Sequence, residues 1–405
     1  MVRVSTSSLF ANGTASIMQA ETAMLATQQQ LSSGKKINSP SDDPVGAAQV
    51  ASINSTLSQF DQYKSNQDRA EYLLNLGEST LGQMGDAAQQ VKQKLIAAGN
   101  GTYSNADRQS LAADLQGLLA QMVGLANSSD GSGGYLFGGS SEGKPPFSQT
   151  GNTVAYNGDD TQMRLEVSGN RYQPVKQAGD DLFLKVRPGN GTFTTNAGAS
   201  NTGSGIVDAG SVSDPTQLTG SAYTIAFSVS GGATTYQVVR ASDNAVVASG
   251  NYTAPASITF DGEQVNIRGT PADGDTFQVA PAGYQSIFDT IGSAIQLLSK
   301  GVSTAADQAQ FQTTLTGLNA SVDQMIGQLS LKQASYGSSL SELSGYQQLN
   351  GDRQLQYQTR LSSVQDLDVA QATSQLSQQQ LTYQAALQSY SSISKLSLFN
   401  YLTTA

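Results

Sequence analysis

Apolar residues recur every seven positions at both ends of the chain. Near the start, Phe10, Ile17, Met24 and Leu31 keep this spacing, with small or polar Gly13, Ala20 and Thr27 between them. Near the end, Val369, Leu376, Tyr383 and Tyr390 keep it too, and Ala372, Gln379, Ala386 and Ile393 fill the alternate slots. Alternating steps of three and four are the seam of a coiled-coil helix. Both seams are narrow and partly polar. A helix with so thin an apolar stripe is not stable alone, so the two ends are expected to pair, and then to need further partners.

Between the ends the pattern changes twice. Gly34 should end the first helix, Pro40 blocks its continuation, and Asp43 followed by Pro44 reads as an N-cap and first helical residue. From Val45 to about Ala98 the helical period carries Val50, Ile53, Leu57 and Phe60, then Leu74, Leu81, Ala88, Val91 and Leu95. Some fifty residues at ~1.5 Å each would span roughly 75 Å. A turn over 98–110, with Asn105 as the expected cap, precedes Leu111, Leu115, Leu118, Met122 and Leu125. The helical period returns at Gln285 with Ile287, Ile291, Ile295 and Leu298. After a break at Gly301 it continues through Phe311, Leu315, Leu318, Val322, Met325, Leu329, Tyr336 and Leu343.

From about 148 to 283 the period is two. TVAYN, QMRLEV, LFLKV, YTIAFSV, TYQVV, SITF and TFQVA alternate apolar with polar residues and are separated by turn sequences such as SGG, SDN and DGE. These predict strands joined by hairpins. The segment 191–211, rich in Gly, Asn, Ser and Thr, is expected to be a long exposed loop. The fold class is therefore a multidomain, mainly α protein: an elongated helical bundle or coiled coil built from both termini, with an inserted all-β domain. The expected divisions are 1–42 with 361–405 as a terminal coiled coil, 43–147 with 285–360 as a long-helix region, and 148–284 as the β insert.

Composition narrows the chemistry. Among 405 residues there is no Cys, His or Trp. That excludes zinc sites built on Cys or His, Cys nucleophiles and Ser/His/Asp triads. A net charge of −10 argues against a general nucleic-acid surface. Charged residues make up only 13%, so such a surface can pack against copies of itself with little desolvation of charge. No stretch approaches the ~18 apolar residues of a membrane span. The opening residues lack the apolar core of a secretory signal, so the chain is expected either to stay in the cytoplasm or to leave by a route that reads another signal.

Candidate chemistry is sparse. The Asp42–Asp43 pair is more simply a capping element than a catalytic or calcium site. Gly138 to Lys144 reads GGSSEGK, the first seven positions of a phosphate-binding loop, but Pro145 and Pro146 follow where a Ser or Thr and a helix are required. Asp159, Asp160, Asp180 and Asp181 offer carboxylates, yet sequence neighbours on turns rarely take the spacing that glycoside hydrolysis needs. The Tyr and Thr of the strands would suit a carbohydrate-binding face, although ordinary strand composition explains them as well.

LSSGKKINSPSDDPVGAAQ (31–49), AGNGTYSNADRQSLAADLQGL (98–118), LANSSDGSGGYLFGG (125–139) and SLFNYL (397–402) resemble the flagellin superfamily, and within it the hook-associated branch. Flagellins proper usually lack Pro on both sides of the SDD element. The resemblance spans roughly 1–147 and 285–405 and leaves out most of the β insert. It implies a structural, non-enzymatic subunit of the bacterial flagellum at the junction between a hook-associated ring and the flagellin filament. It also implies export through the flagellar type III apparatus and no cofactor. The partners implied are copies of the chain, the preceding hook-associated protein, flagellin and an export chaperone. The assembly interface expected is Phe10, Ile17, Met24, Leu31, Val369, Leu376, Tyr383, Tyr390 and Ile393. A flagellin-type filament subunit shares the architecture and stays open as an alternative. A stalked carbohydrate-binding or enzymatic β domain is the less favoured one.

Overall fold

The structure, a computed structural model, describes residues 6–141 and 143–395, and within them all side chains but those of Thr6, Ile393 and Lys395. The SLFNYL motif lies outside the described residues. The chain forms two compact units, Met1–Ser65 with Tyr346–Ala405, and Asn66–Gly345. Among the described residues the elements are helices α1 (Thr6–Ser33), α2 (Pro44–Ala98), α3 (Asn105–Ala126), α4 (Ile287–Ser299), α5 (Ala305–Gln365) and α6 (Val369–Lys395), with thirteen strands between α3 and α4.

In the first unit, α1 stops at Ser33 because Gly34 adopts φ +70°, a conformation that costs a residue without Cβ little. Asp43 caps α2, its Oδ1 accepting the backbone N–H of Val45 and Gly46 at 3.1 and 2.9 Å. Asp42 Oδ2 accepts from Asn38 and Ser39 at 3.0 and 2.8 Å. Both carboxylates thus serve the backbone of one turn. Ile53 and Phe60 of α2 are buried, and the Phe60 ring packs against Tyr357 of α5 at 5.8 Å.

In the second unit the expected α2 and α5 seams are buried, while Leu111 and Leu125 at the ends of the α3 seam are half-buried. Leu74, Leu81, Ala88, Val91 and Leu95 of α2 share the interior with Phe311, Leu315, Leu318, Val322, Met325, Leu329, Tyr336 and Leu343 of α5. The cap of α3 is Ser104 rather than the expected Asn105. Ser104 and Asp107 exchange side-chain and backbone hydrogen bonds in a reciprocal box. Asn105 instead ties the turn to the α4–α5 connection, its amide bonding both N–H and carbonyl of Val302.

Gly77 of α2 sits directly under the buried Tyr336 ring, where a Cβ would overlap ring carbons. Overpacking of this kind costs about 1–3 kcal/mol, against an intrinsic helical gain of about 1 kcal/mol for Gly→Ala. Gly77→Ala is expected to give a net loss of about 1 kcal/mol in urea unfolding. An unchanged or raised midpoint would mean that Tyr336 relocates freely.

The β region has two parts. Hairpins β1–β2 (Phe147–Thr150, Thr153–Tyr156) and β3–β4 (Met163–Ser168, Arg171–Lys176) belong to the helical layer. The Phe147 ring packs on Tyr156, Phe183 and Phe288 at 4.9–5.7 Å. The side-chain amides of Asn66 and Gln67 donate to the carbonyls of Glu166 and Val167.

Beyond them β5 (Phe193–Ala197), β6 (Ile206–Val207), β7 (Ser211–Val212), β8 (Tyr223–Ser230), β9 (Ala233–Arg240), β10 (Val246–Asn251), β11 (Ala256–Phe260), β12 (Glu263–Arg268) and β13 (Thr276–Pro281) build a module of two antiparallel sheets. One sheet has the order β10-β9-β8-β13-β5. The other is β11-β12-β6, with β7 also on β12. Inward residues at period two, such as Tyr223, Ile225 and Phe227 on β8 and Val265 and Ile267 on β12, make one apolar core. Asp261 and Gly262, both at positive φ, form the tight β11–β12 turn.

Two sequence expectations fail in the β region. LFLKV is not a strand: Asp180–Leu184 forms a wide helical turn. Leu182 and Phe183 are both fully buried, and a strand would have sent these neighbours to opposite faces. The segment 191–211 is not an exposed loop. It supplies β5, β6 and the start of β7, and buries Phe193, Thr195 and Val207. Side-chain bonds to backbone hold it in place: Asn201 pairs with both the N–H and carbonyl of Thr276, and the Asp275 carboxylate accepts from Thr202 and Gly203.

Candidate assembly interface

Helices α1 and α6 pack antiparallel. At one end the Phe10 and Tyr390 rings meet edge to face at 5.9 Å. At the other, Leu367 donates to the Gly34 carbonyl at 3.0 Å and Lys36 to that of Gln365 at 2.7 Å. Small residues set the spacing, since a Cβ on Gly13 would lie 3.0 Å from the Tyr390 ring.

The heptad seams supply this contact, but cover it only in part. Phe10, Ile17, Met24 and Leu31 are all half-buried, as are Leu376, Tyr383 and Tyr390, while Thr27 and Ala372 are buried. Val369 departs from its seam: it is 56% exposed. It is the first residue of α6, close to the level at which Gly34 turns the chain out of α1. Ile393 is among the side chains outside the description. Gln379, in a seam slot, buries an Oε1 with no hydrogen-bond partner among the described residues. A cleft of about 260 Å³ opens beside it, lined by Ser16, Gln19, Ala20, Ala23, Gln379 and Thr382.

Periodicity did not single out the outer faces. Met18 and Leu25, seven residues apart on α1, are 61% and 54% exposed, and Leu381 on α6 is 68% exposed. They sit off the seam, and the signal for them was their large apolar side chains among Gln, Ser and Thr. Glu21 in α1 and Lys395 in α6 are the only Asp, Glu, Lys or Arg residues of either helix. A further helix could therefore cover these faces with almost no desolvation of charge.

Most of the other sequence candidates find structural partners. Ser140 within GGSSEGK donates through both N–H and O–H to the Asp159 carboxylate. These bonds, with those from Thr161, hold Asp159 well below the usual carboxylate range. Asp180 pairs with Lys185 and Asp181 with Lys332. Among the described residues no cluster of acidic side chains could hold a metal ion, and no helix is long and apolar enough to cross a membrane.

Comparison with known proteins agrees with this architecture. Residues 4–142 match the bacterial flagellin N-terminal helical region. Residues 195–281 match the D2-like domain of flagellar hook-associated protein 1, which places most of the β module, absent from the sequence resemblance, among flagellar domains. Flagellar hook-associated protein 3 of Salmonella typhimurium is 34% identical over 185 residues, 46% of this chain and 58% of the relative's length, so a little over half of that relative is covered. The crystal structure of Xanthomonas campestris FlgL is 31% identical, with a TM-score of 0.68 over 76% of this chain and 99% of that one. That of hook-associated protein 3 from Legionella pneumophila is 28% identical, with a TM-score of 0.75 over 78% and 98%. With terminal helices paired through a thin seam, a β insert of flagellar type and a full-length match to such structures, the chain belongs to the flagellar hook-associated protein 3 (FlgL) family.

Proposed function

We propose that the protein is a structural, non-catalytic subunit of the bacterial flagellum that forms the junction between a hook-associated ring and the flagellin filament. The observation that carries this reading is the α1–α6 pair. Its seam is half-covered, its outer faces expose Met18, Leu25 and Leu381, and it is almost uncharged. Such a pair gains full burial only when other helices close over it. In this reading the seam residues, with Val369 and Ile393, are the assembly element, and assembly resides in 1–42 with 361–405. The long helices of 43–147 with 285–360 carry it, and the β insert, 148–284, is not needed to join subunits. The chain reaches the extracellular flagellum through type III export, an export chaperone covers the C-terminal helix beforehand, and the subunit then packs on its own copies, the preceding hook-associated protein and flagellin.

Hydrogen exchange on the monomer should show weak protection in 5–30 and 370–395 beside strong protection of α2 within Asn66–Ala98. Ile17→Asp or Leu376→Asp should reduce ring assembly and motility at least about tenfold, a burial loss of more than ~1.4 kcal/mol per contact, while the second unit stays folded. Normal flagella from both variants would refute the assignment. The filament-subunit alternative predicts long fibres from purified protein, where a junction subunit stops at a short ring.

A further inference from the structure

One groove of the second unit has no part in that assembly reading. It lies where β5 and the connections around Pro188 and Gly283 face α4 and α5, and its volume is about 490 Å³. That is within the range of small-molecule sites, about 300–1,000 Å³. No lining side chain carries a charge.

The polar groups of the groove fall into two sets. Thr194, Thr195 and Ser321 are committed to the carbonyls of Ala280, Asp208 and Gly317 and make a fixed wall. The amides of Asn196 and Gln285 and the hydroxyls of Ser293 and Thr314 make no hydrogen bond to any described residue. At the mouth the Tyr284 ring is 67% exposed, and the Arg187 guanidinium, 5.6 Å from the ring centre, steadies it.

We infer that this groove binds a neutral oligosaccharide. Amides and hydroxyls that each donate and accept match the hydroxyls of a sugar ring, which do the same. An exposed aromatic face suits the C–H face of a pyranose through apolar contact. The other ligand classes fit poorly. A phosphorylated ligand would find only Arg187, at the mouth and engaged with the Tyr284 ring, and no cation in the lining itself, on a chain of net charge −10. An apolar ligand would strip water from four polar side chains and return no hydrogen bond.

The test is an NMR titration of the full chain with a panel of neutral tetrasaccharides of glucose, galactose, mannose and N-acetylglucosamine. At least one should bind saturably at about millimolar concentration or below, with shifts confined to Thr194–Asn196, Gly283–Gln285, Ser293 and Thr314. Tyr284→Ala should weaken it about tenfold, and Asn196→Ala or Thr314→Val severalfold. All three side chains are exposed, so urea midpoints should not move. Failure of the whole panel to shift groove resonances, or binding unchanged in Tyr284→Ala, would overturn the proposal.

Discussion

Lys176→Met should lower the stability of the second unit by about 3–5 kcal/mol. Lys176 and Asp130 form an ion pair whose side chains are only 6% and 2% exposed. Asp130 also accepts from the N–H and O–H of Ser132 and the N–H of Gly134. The pair therefore pins the turn after α3 to strand β4. Burial alone would raise the Asp130 pKa. The Lys176 ammonium and the Ser132 and Gly134 donors outweigh it and hold that carboxyl well below the usual carboxylate range. Removing the lysine leaves a carboxylate that water cannot reach.

The control is Lys94→Met. The Lys94–Asp114 pair is 38% and 51% exposed, and exposed pairs contribute about 0–1 kcal/mol. Equal shifts in urea midpoint for the two variants would sink the argument. The pH dependence has a definite sign. A carboxyl with a depressed folded pKa stabilises above its unfolded value, near 3.8, and loses that contribution as pH falls through the folded one. The gap between wild type and Lys176→Met should therefore be full at neutral pH and close in acid.

Glu263→Gln should act in the opposite sense and stabilise the β module at pH 8. Glu263 is 3% exposed on β12, and its Oε2 has no hydrogen-bond partner among the described residues. Burial, and then the nearby Asp261 charge, push its pKa from 4.5 to about 7. Asp261 gives no relief, because Arg240 and the Tyr223 hydroxyl already bind it. A raised folded pKa makes stability complete below about 4.5 and lost as pH rises through about 7. The full loss corresponds to roughly 3 kcal/mol. Hydrogen exchange of the Ile225 and Val265 amides at pH 5 and pH 8 reads it directly. Wild type should lose protection at the higher pH and Glu263→Gln should not. Parallel behaviour would show that Glu263 is not charged in the folded module.

The α1–α6 seam was legible because coiled-coil contacts are periodic. Phe10 through Leu31 and Leu376 through Tyr390 lie where the heptads put them, and among the described seam side chains only Val369 falls outside cover. The uncovered faces were less legible, since Met18 and Leu25 make a single seven-residue step that ends at Ser32, and Leu381 stands between Ser374 and Gln388 at the same spacing. The oligosaccharide groove could not be seen in sequence at all. Its parts come from β5, the connections flanking the module, α4 and α5, and sequence does not tell which hydroxyls fold onto a carbonyl and which stay free.

Sequence by itself determined the helices, their caps at Gly34 and Asp43, the period-two insert and the absence of Cys and His chemistry. Each of these follows from local backbone preference or from a side-chain period that a single element displays. Tertiary structure decided the rest. Asp180–Leu184 curls because both Leu182 and Phe183 find burial on one side, and 191–211 orders because Asn201 and Asp275 bind backbone some seventy residues away in sequence. The Lys176–Asp130 pair and the isolated Glu263 are likewise products of packing: solvent exclusion sets the strength of a charge, and no local pattern records which charges the fold will bury.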